Sequence, residues 1–431
     1  MRCWVSALAI LVMLSCRERT RSVAAITIDQ AADSYVHLVL ALGDRDPDSL
    51  DAYHGPPAWQ AEVRANPTSL DAIQRAANAL EAQLASGRLS SDDEEVRRAF
   101  LVRQLRAIVA RIDILRGARP AFADEAAALF GVRVPAAADT VRLRSIRAAL
   151  DRLLPGHGDL RARLMAFDRR FLVPAERLPA VLARAIERCR TATLQHAGLP
   201  SSERVDVEYV HDLPWSAFTR YQGRFRSRIQ VNADSRLTVD RALDLACHEG
   251  YPGHHVIDSL IEARWGTRRM ELNVRPLFSP QALLHEGAAS VASSLAFDDD
   301  ARIAFERDEL FPLAGLVPTA VADHVRLTRL VDDLREAETD VARRYLDGEL
   351  DFPRASAALA RDALISSSDA TLKFLNEYRT YAVTYTLGRD RVAAYLDARA
   401  GAPYEAAGRW RAYLQLVTDP AQTVPGEPAR K

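Results

Sequence analysis

The segment His248–His255 constrains the fold of this chain more than any other part of its sequence. It reads HEGYPGHH and follows a mostly apolar stretch, residues 242–246. Pro252 has no N–H group to donate to the carbonyl of residue 248, and its ring crowds the preceding turn. A helix through this segment therefore kinks or loosens there. Gly253 permits the unusual backbone angles that such a break needs, so we expect a broken helix that carries three imidazoles.

The chemistry of the same segment indicates a metal site. Neutral imidazole and carboxylate are the ligands of zinc in hydrolytic sites, where three protein ligands leave one position for water. The pair His248–Glu249 matches the start of the zincin motif, in which the glutamate is not a ligand but the base that takes a proton from water. A lone histidine on an apolar helix is usually structural. Three imidazoles beside a His–Glu pair favour a site for one zinc ion instead.

The second histidine ligand has two candidates. A regular zincin helix places it four residues after His248, where this chain has Pro252. The break could swing His254 round to that place. If the helix stays nearly regular, His255 lies about 20° from His248 around the axis. Spacing does not choose between His254 and His255, and the one that is not a ligand would orient substrate or support a ligand.

The whole segment resembles the signature of a known family. The pattern His-Glu-x-x-Pro-Gly-His-His is similar to that of the DUF885 family of bacterial proteins, which are mostly helical and similar to zinc metallopeptidases. That family has a later Glu-Gly-Trp-Ala-x-Tyr-x-Glu motif, and the segment Glu286–Ala289 resembles its beginning. The resemblance is sharpest from residue 215 to residue 300. It implies a zinc peptidase with Glu286 as the third metal ligand.

This chain departs from the family motif after its first glutamate. Ala288, Val291 and Ser293 stand where the family has Trp, Tyr and Glu. These departures remove aromatic and acidic groups with which the family pattern would contact substrate. His285 directly precedes Glu286, and adjacent helical positions point about 100° apart. We therefore expect His285 to orient Glu286 or merely to flank it.

A set of tyrosines near the end of the chain is the second candidate for chemistry. Tyr378, Tyr381 and Tyr385 follow one another at steps of three and four residues, which predicts one helix face. Such a stripe is more often core than catalytic. The resemblance, however, places a Tyr-x-x-Gly segment late in the chain. Tyr385 is thus the first choice for a group that hydrogen-bonds the oxyanion, with Arg379 as an alternative donor.

The first residues predict export. A short positive start precedes an apolar run from Trp4 to Leu14, which has the length of a signal-peptide core and is too short to span a bilayer. The sequence Leu14-Ser15-Cys16, followed by charged residues, resembles a bacterial lipoprotein box. An ordinary secretory signal cleaved nearby is the alternative. We expect residues 1–16 to be a lipoprotein-type signal, with a lipidated Cys16 anchoring a periplasmic or cell-envelope protein to the membrane.

Charge and cysteine content exclude some classes of function. The formal net charge is −1, so no strong field for nucleic acid is present and no nucleic-acid partner is expected. Beyond Cys16, the mature chain has Cys189 and Cys247, which allow a single bridge rather than a disulfide framework. Cys247 precedes His248 and would point about 100° away from it on a helix. Core packing is therefore favoured for Cys247 over metal binding.

The remaining pattern predicts a mainly α protein. Helical periodicity runs from residue 26 to about residue 199, with long amphipathic patterns over residues 69–86 and 94–115. Alternation over residues 205–210 and 224–232 predicts two strands, the second at a sheet edge where an extended peptide could bind; a plain hairpin is the alternative. We expect a large multi-helix, metallopeptidase-like fold with a small β-hairpin or sheet near the active site. Residues 17–200 would form an N-terminal helical region, and residues 201–431 would carry the metal site.

Together these features predict an exported zinc-dependent hydrolase, with a metallopeptidase favoured. His248, His254 or His255, and Glu286 would hold the metal, and Glu249 would activate water and pass its proton to the leaving amine. An esterase or an amidase acting on a small substrate would use the same chemistry. A non-catalytic envelope binding protein that keeps the fold is the alternative from another class. Retention of Glu249 argues against it, because a structural site needs no base.

Overall fold

The computed structural model of the protein describes residues 26–87, 91–213, 215–401 and 406–421. The predicted signal, residues 1–16, and its lipidation site Cys16 lie outside these ranges. Within them, no helix combines the length and the apolar character needed to cross a membrane.

Helices form most of the first half of the described chain, and several begin at a residue whose side chain caps the helix. The third helix starts directly after Ser69, whose hydroxyl accepts a hydrogen bond from the backbone N–H of Ala72. The fourth starts after Ser91, which caps the N–H of Glu94 in the same way. These two helices confirm the amphipathic patterns predicted from the sequence. The elements of this half are α1 (Ile28–Arg45), β1 (Leu50–Tyr53), α2 (Pro57–Ala65), α3 (Leu70–Ser86), α4 (Asp92–Leu115), α5 (Phe122–Phe130), α6 (Thr140–Leu153), α7 (Leu160–Asp168) and α8 (Leu178–Leu194).

The second half adds a small sheet and further helices, so the mainly α fold with a small sheet is confirmed. Three π-helical turns, residues 246–250, 306–310 and 384–388, interrupt the regular helices. The elements are β2 (Arg204–Val210), β3 (Ala217–Gly223), β4 (Arg226–Asn232), α9 (Val239–Leu245), α10 (His254–Arg264), β5 (Val274–Pro276), α11 (Pro280–Ser290), α12 (Ala292–Ala296), α13 (Asp299–Phe305), α14 (Phe311–Ala314), α15 (Val321–Asp332), α16 (Arg335–Leu346), α17 (Phe352–Asp362), α18 (Ser368–Tyr378), α19 (Arg389–Arg399) and α20 (Ala406–Thr418).

The larger sheet has three strands in the order β2-β4-β3. β2 pairs with β4 in parallel, and β3 pairs with β4 in antiparallel orientation. The two strands predicted from the sequence are β2 and β4, but the expectation that the second lies at an edge is wrong, because β3 covers it. β2 and β3 are therefore the two edge strands of this sheet. A second, two-stranded sheet pairs β1 with β5.

Among the described residues, three hydrophobic clusters form the interior, and the helices α10 and α11 lie between them. On α10, Val256 packs into one cluster and its neighbour Ile257 into another. On α11, Leu283 and Leu284 likewise enter different clusters. Adjacent helical residues point about 100° apart, so each helix is buried on more than one face. The cluster that contains Ile257 and Leu284 also takes residues from both sides of position 200.

Candidate metal centre

The helix that carries the His-rich segment breaks where the sequence predicts. α9 runs into the π-helical turn at residues 246–250, and α10 begins at His254. Between them the Gly253 N–H donates to the carbonyl of Cys247 at 3.0 Å. A Cβ atom on Gly253 would lie 1.8 Å from the carbonyl oxygen of His248. Only glycine allows this close approach, which folds the start of α10 back onto the π-helical turn.

This fold-back brings three ligand-type side chains together. His254 Nε2 lies 3.2 Å from His248 Nε2, and the Glu286 carboxylate lies 3.4 Å from His248 Nε2 and 3.6 Å from His254 Nε2. All three ligand atoms are within 4.8 Å of one another. Two ligands of a tetrahedral zinc ion, each about 2.0–2.1 Å from it, are separated by about 3.3–3.4 Å. The contact with His248 is made by Glu286 Oε2 and the contact with His254 by Glu286 Oε1, and all these separations are close to that value. The three side chains therefore lie near enough to share one metal ion.

The environment of Glu286 also fits a cation. Its Oε1 accepts a hydrogen bond of 3.1 Å from the Tyr381 hydroxyl. Its Oε2 is buried and has no hydrogen-bond partner among the described residues. A buried carboxylate oxygen without a partner is costly, and a metal ion would satisfy it.

His255 does not join this group. Its Nδ1 lies 2.8 Å from Ser227 Oγ and its Nε2 lies 2.9 Å from Glu203 Oε2. Both ring nitrogens are thus used, and the side chain is fully buried. Of the two alternatives, the structure brings His254 to His248 and gives His255 a place in a buried hydrogen-bonded cluster. Cys247 is also excluded as a ligand, because its sulfur forms a disulfide with Cys189.

Glu249 is held beside the ligand group by a residue that the sequence did not indicate. The Thr219 hydroxyl donates to Glu249 Oε2 at 2.7 Å and also lies 2.9 Å from the Glu249 carbonyl oxygen. Thr219 is on β3, and its side chain is buried. Glu249 itself is only 6% exposed. The edge strand therefore fixes the orientation of the candidate base. Alternation of buried Thr219 and Tyr221 along β3 is the signal that could have found it.

Two glycines let the late tyrosine segment approach Glu286. A Cβ atom on Gly287 would lie 2.5 Å from the backbone of Gly388, so α11 packs directly on the π-helical turn at residues 384–388. The predicted single helix face of tyrosines is wrong in its local geometry. α18 ends at Tyr378, a short 3₁₀ turn follows, and Tyr385 lies on the π-helical turn. Packing nevertheless brings the Tyr381 and Tyr385 rings to 5.6 Å.

The two candidate oxyanion donors, Tyr385 and Arg379, lie in different surroundings. Tyr385 lines the same cleft as His248 and Glu249. Arg379 pairs with the buried Glu125 at 2.6 Å, so its guanidinium supports the fold. Of these two, the structure brings only Tyr385 to the cleft.

A buried network of side chains contacts the Nδ1 side of the His254 ring. His285 Nδ1 lies 2.9 Å from His254 Nδ1, and His285 Nε2 lies 3.2 Å from Asp258 Oδ1. Arg275 donates to Asp258 at 2.7 Å and to Asp51 at 2.5 Å. Arg275 Nη1 also lies 2.7 Å from His285 Nε2, so the His285 ring contacts both members of the Arg275–Asp258 ion pair. His285 thus contacts His254, contrary to the expectation that it orients or flanks Glu286.

Charges in the group set the protonation of the metal-free site. Burial lowers the pKa of His254, but the Glu286 and Glu249 carboxylates outweigh burial and raise that pKa to about 9. Burial raises the pKa of Glu286, but His254 and His248 hold it well below its ordinary value. Burial and Arg275 lower the pKa of His285 to about 4. At neutral pH, His254 is therefore charged, Glu286 is ionised and His285 is neutral.

Zinc binding is expected to release a proton from His254. Zinc binds neutral imidazole, so at pH 7 the metal must displace the proton that the raised pKa holds there. Affinity should rise about tenfold per pH unit between pH 7 and pH 8 and level off above about pH 9. Zinc titration calorimetry in buffers of different ionisation enthalpy measures the released proton. Affinity that does not change over this range would mean that His254 is not a ligand.

The cleft beside the ligand group has a volume of about 830 Å³. Ser216 and Ala217, at the start of β3, line it together with His248 and Glu249. Val291 and Ser293 line it too, and Ala288 is instead fully buried in the core. Two of the three departures from the family motif therefore lie on the cleft wall.

Comparisons with known proteins add little beyond this geometry. No family model matches the chain, and no curated protein matches its sequence. One similar solved structure is that of a candidate lipoprotein from Colwellia psychrerythraea, 14% identical with a TM-score of 0.48 over 92% of this chain and 76% of that chain. Another is that of a candidate lipoprotein of unknown function from Shewanella oneidensis, 12% identical with a TM-score of 0.44 over 92% of this chain and 89% of that chain. The resemblance to the DUF885 family stays a prediction from the motifs.

Proposed function

We propose that this protein is an exported, zinc-dependent hydrolase of the cell envelope that cleaves peptide bonds. The observation that carries the proposal is the close group of His248, His254 and Glu286, in which the two imidazole nitrogens and the two carboxylate oxygens make contacts of 3.2 to 3.6 Å. Glu249 is next to it in the chain and lines the same cleft. Three ligands and an adjacent base form the arrangement that hydrolytic zinc sites need.

The residues of the chain have separate tasks in this mechanism. Zinc, when bound, supplies Lewis acidity toward a carbonyl oxygen and toward water. Glu249 accepts the proton of the attacking water and returns it to the leaving nitrogen. Thr219 holds the Glu249 carboxylate in place, and Tyr385 donates a hydrogen bond to the carbonyl oxygen as charge develops there. His285 contacts His254 Nδ1 and is itself held by Asp258 and Arg275, so it fixes the orientation of the His254 ring.

The edge strand favours a peptide over a small ester. β3 has one side free of strand partners among the described residues, and its first residue lines the cleft. An extended peptide can add to such an edge through backbone hydrogen bonds. A small ester or amide would use the same base, so parallel assays on matched peptide and ester substrates decide between the two classes.

The first test is metal content together with hydrolysis. We expect about one zinc ion per chain in the purified protein. His248→Ala should lose the ion, because two remaining ligands do not hold zinc tightly, and should lose peptide hydrolysis with it. Elemental analysis and mass spectrometry of a peptide mixture measure both quantities. Absence of metal from both proteins after zinc addition would reject the hydrolase and favour a non-catalytic envelope binding protein.

A further inference from the structure

Among the described residues, the aspartates on the cleft wall and all its arginines except Arg241 are paired with opposite charges. Among the residues that line it, the aspartates are paired with arginines as Asp244–Arg302, Asp332–Arg335, Asp333–Arg142, Asp390–Arg389 and Asp397–Arg409. Arg329, also on the lining, pairs with Asp299. Arg241 lines the cleft and is exposed. It forms no ion pair or hydrogen bond within the part of the chain that the structure describes.

The two acidic residues that follow or precede Arg241 on α9 make their closest contacts with other side chains. Asp240, the adjacent residue, is buried and faces His324 at 3.6 Å. Asp244, one turn further along α9, is held by Arg302 at 2.9 Å. The Arg241 guanidinium thus presents five N–H donors to the cleft, in a fork that fits a carboxylate.

The position of Arg241 relates this charge to the ligand group. It precedes His248 by seven residues along α9 and the π-helical turn that follows, and both residues line the cleft, about 10 Å apart along the axis. An extended peptide advances about 3.3 Å per residue. A group that reaches Arg241 therefore belongs to a residue within about three positions of a carbonyl held at His248.

We propose that Arg241 is a specificity-determining residue that binds a carboxylate of the substrate. The protein then prefers short peptides with a carboxylate within about three residues of the cleaved bond. This inference rests on the proposed hydrolase function. The carboxylate is the C-terminus of a peptide or an aspartate or glutamate side chain, since the two groups have the same geometry and charge.

Matched peptides test the proposal with the zinc-loaded protein. The probes are octapeptides with a free or an amidated C-terminus, each made with an internal glutamate or with glutamine in its place. We expect kcat/KM to be about 10- to 100-fold higher for the peptide with the required carboxylate. If Arg241 recognises the C-terminal carboxylate, amidation removes this preference. If it recognises the glutamate side chain, replacement of that glutamate by glutamine removes the preference. Arg241→Ala should abolish the preference through KM, and Arg241→Lys should restore part of it.

Arg329→Ala is the matched control, because this arginine lines the same cleft but already has an aspartate partner. It should keep the preference for the carboxylate. A preference that persists in Arg241→Ala, or its absence from the unaltered protein, would overturn the proposal.

Binding separates this proposal from the proposed function. Fluorescence anisotropy of the same labelled peptides on zinc-loaded Glu249→Gln protein measures recognition without turnover. If no peptide is hydrolysed by the unaltered protein, the hydrolase proposal fails alone, and carboxylate-dependent binding that Arg241→Ala abolishes still supports the subsite. Equal affinity for the peptides with and without the carboxylate would reject the subsite.

Discussion

Replacing Glu249 by glutamine is expected to lower kcat by about 10²-fold or more while the protein keeps its zinc. Glutamine has the shape of glutamate but does not accept a proton from water. The proposed metal ligands His248, His254 and Glu286 are untouched by the change, so the loss would fall on catalysis and not on metal binding. Steady-state kinetics and elemental analysis of the same preparation provide the two measurements.

Thr219→Val tests the same prediction with a smaller expected effect on kcat. Valine has nearly the shape of threonine but leaves the Glu249 carboxylate without its 2.7 Å hydrogen bond. We expect a loss of about tenfold in kcat, smaller than the loss from Glu249→Gln. Full turnover by the Glu249→Gln protein would assign the base to another group. Zinc loss from that protein would instead make Glu249 part of the metal centre.

Reduction of the disulfide between Cys189 and Cys247 is expected to lower the free energy of unfolding by about 3–4 kcal/mol. The bond closes a chain segment with a sequence separation of 58, and both half-cystines are fully buried. The open chain gains conformational freedom mainly in the unfolded state, and longer loops gain more. Urea unfolding of the metal-free protein with and without reductant measures the difference.

The same bond ties α8 to the π-helical turn that precedes α10. Because Cys247 is the residue before His248, reduction should also loosen that turn and speed amide hydrogen exchange over residues 246–250. In Cys189→Ala/Cys247→Ala, reductant should have no effect, which controls for its action elsewhere. An unchanged unfolding midpoint for the unaltered protein on reduction would contradict this prediction. Disulfides persist in oxidising compartments, which agrees with the predicted export.

The features predicted correctly from the sequence depend on local covalent restrictions. Pro252 removes a backbone donor and Gly253 permits a close approach, so the break in the helix could be placed from these two residues alone. The amphipathic patterns that predicted α3 and α4 are local in the same sense, because they repeat every three to four residues. Such signals act within a few residues and need no tertiary structure.

The strand β3 was not predicted from the sequence, because its formation does not depend on local signals alone. β3 and β4 are joined by Arg224 and Phe225, which both have positive φ angles, 55° and 61°. Hairpins of this kind usually have asparagine or glycine there, so the turn has no sequence signature. The Glu262 carboxylate on α10 accepts a hydrogen bond of 3.1 Å from the Arg224 N–H. A side chain distant in sequence thus supports a turn that local propensity disfavours.

The sequence by itself determined the mainly α fold, the two strands β2 and β4, the helix break and the residue types at the candidate metal centre, because each follows from periodicity or from the chemistry of single side chains. The tertiary structure alone decided that His254 and not His255 meets His248, and that Thr219, His285 and Tyr381 support the site. Those choices depend on how α10, α11 and β3 pack. His254 and His255 are adjacent in the chain, and their sequence positions do not show which side chain points toward His248 across a broken helix.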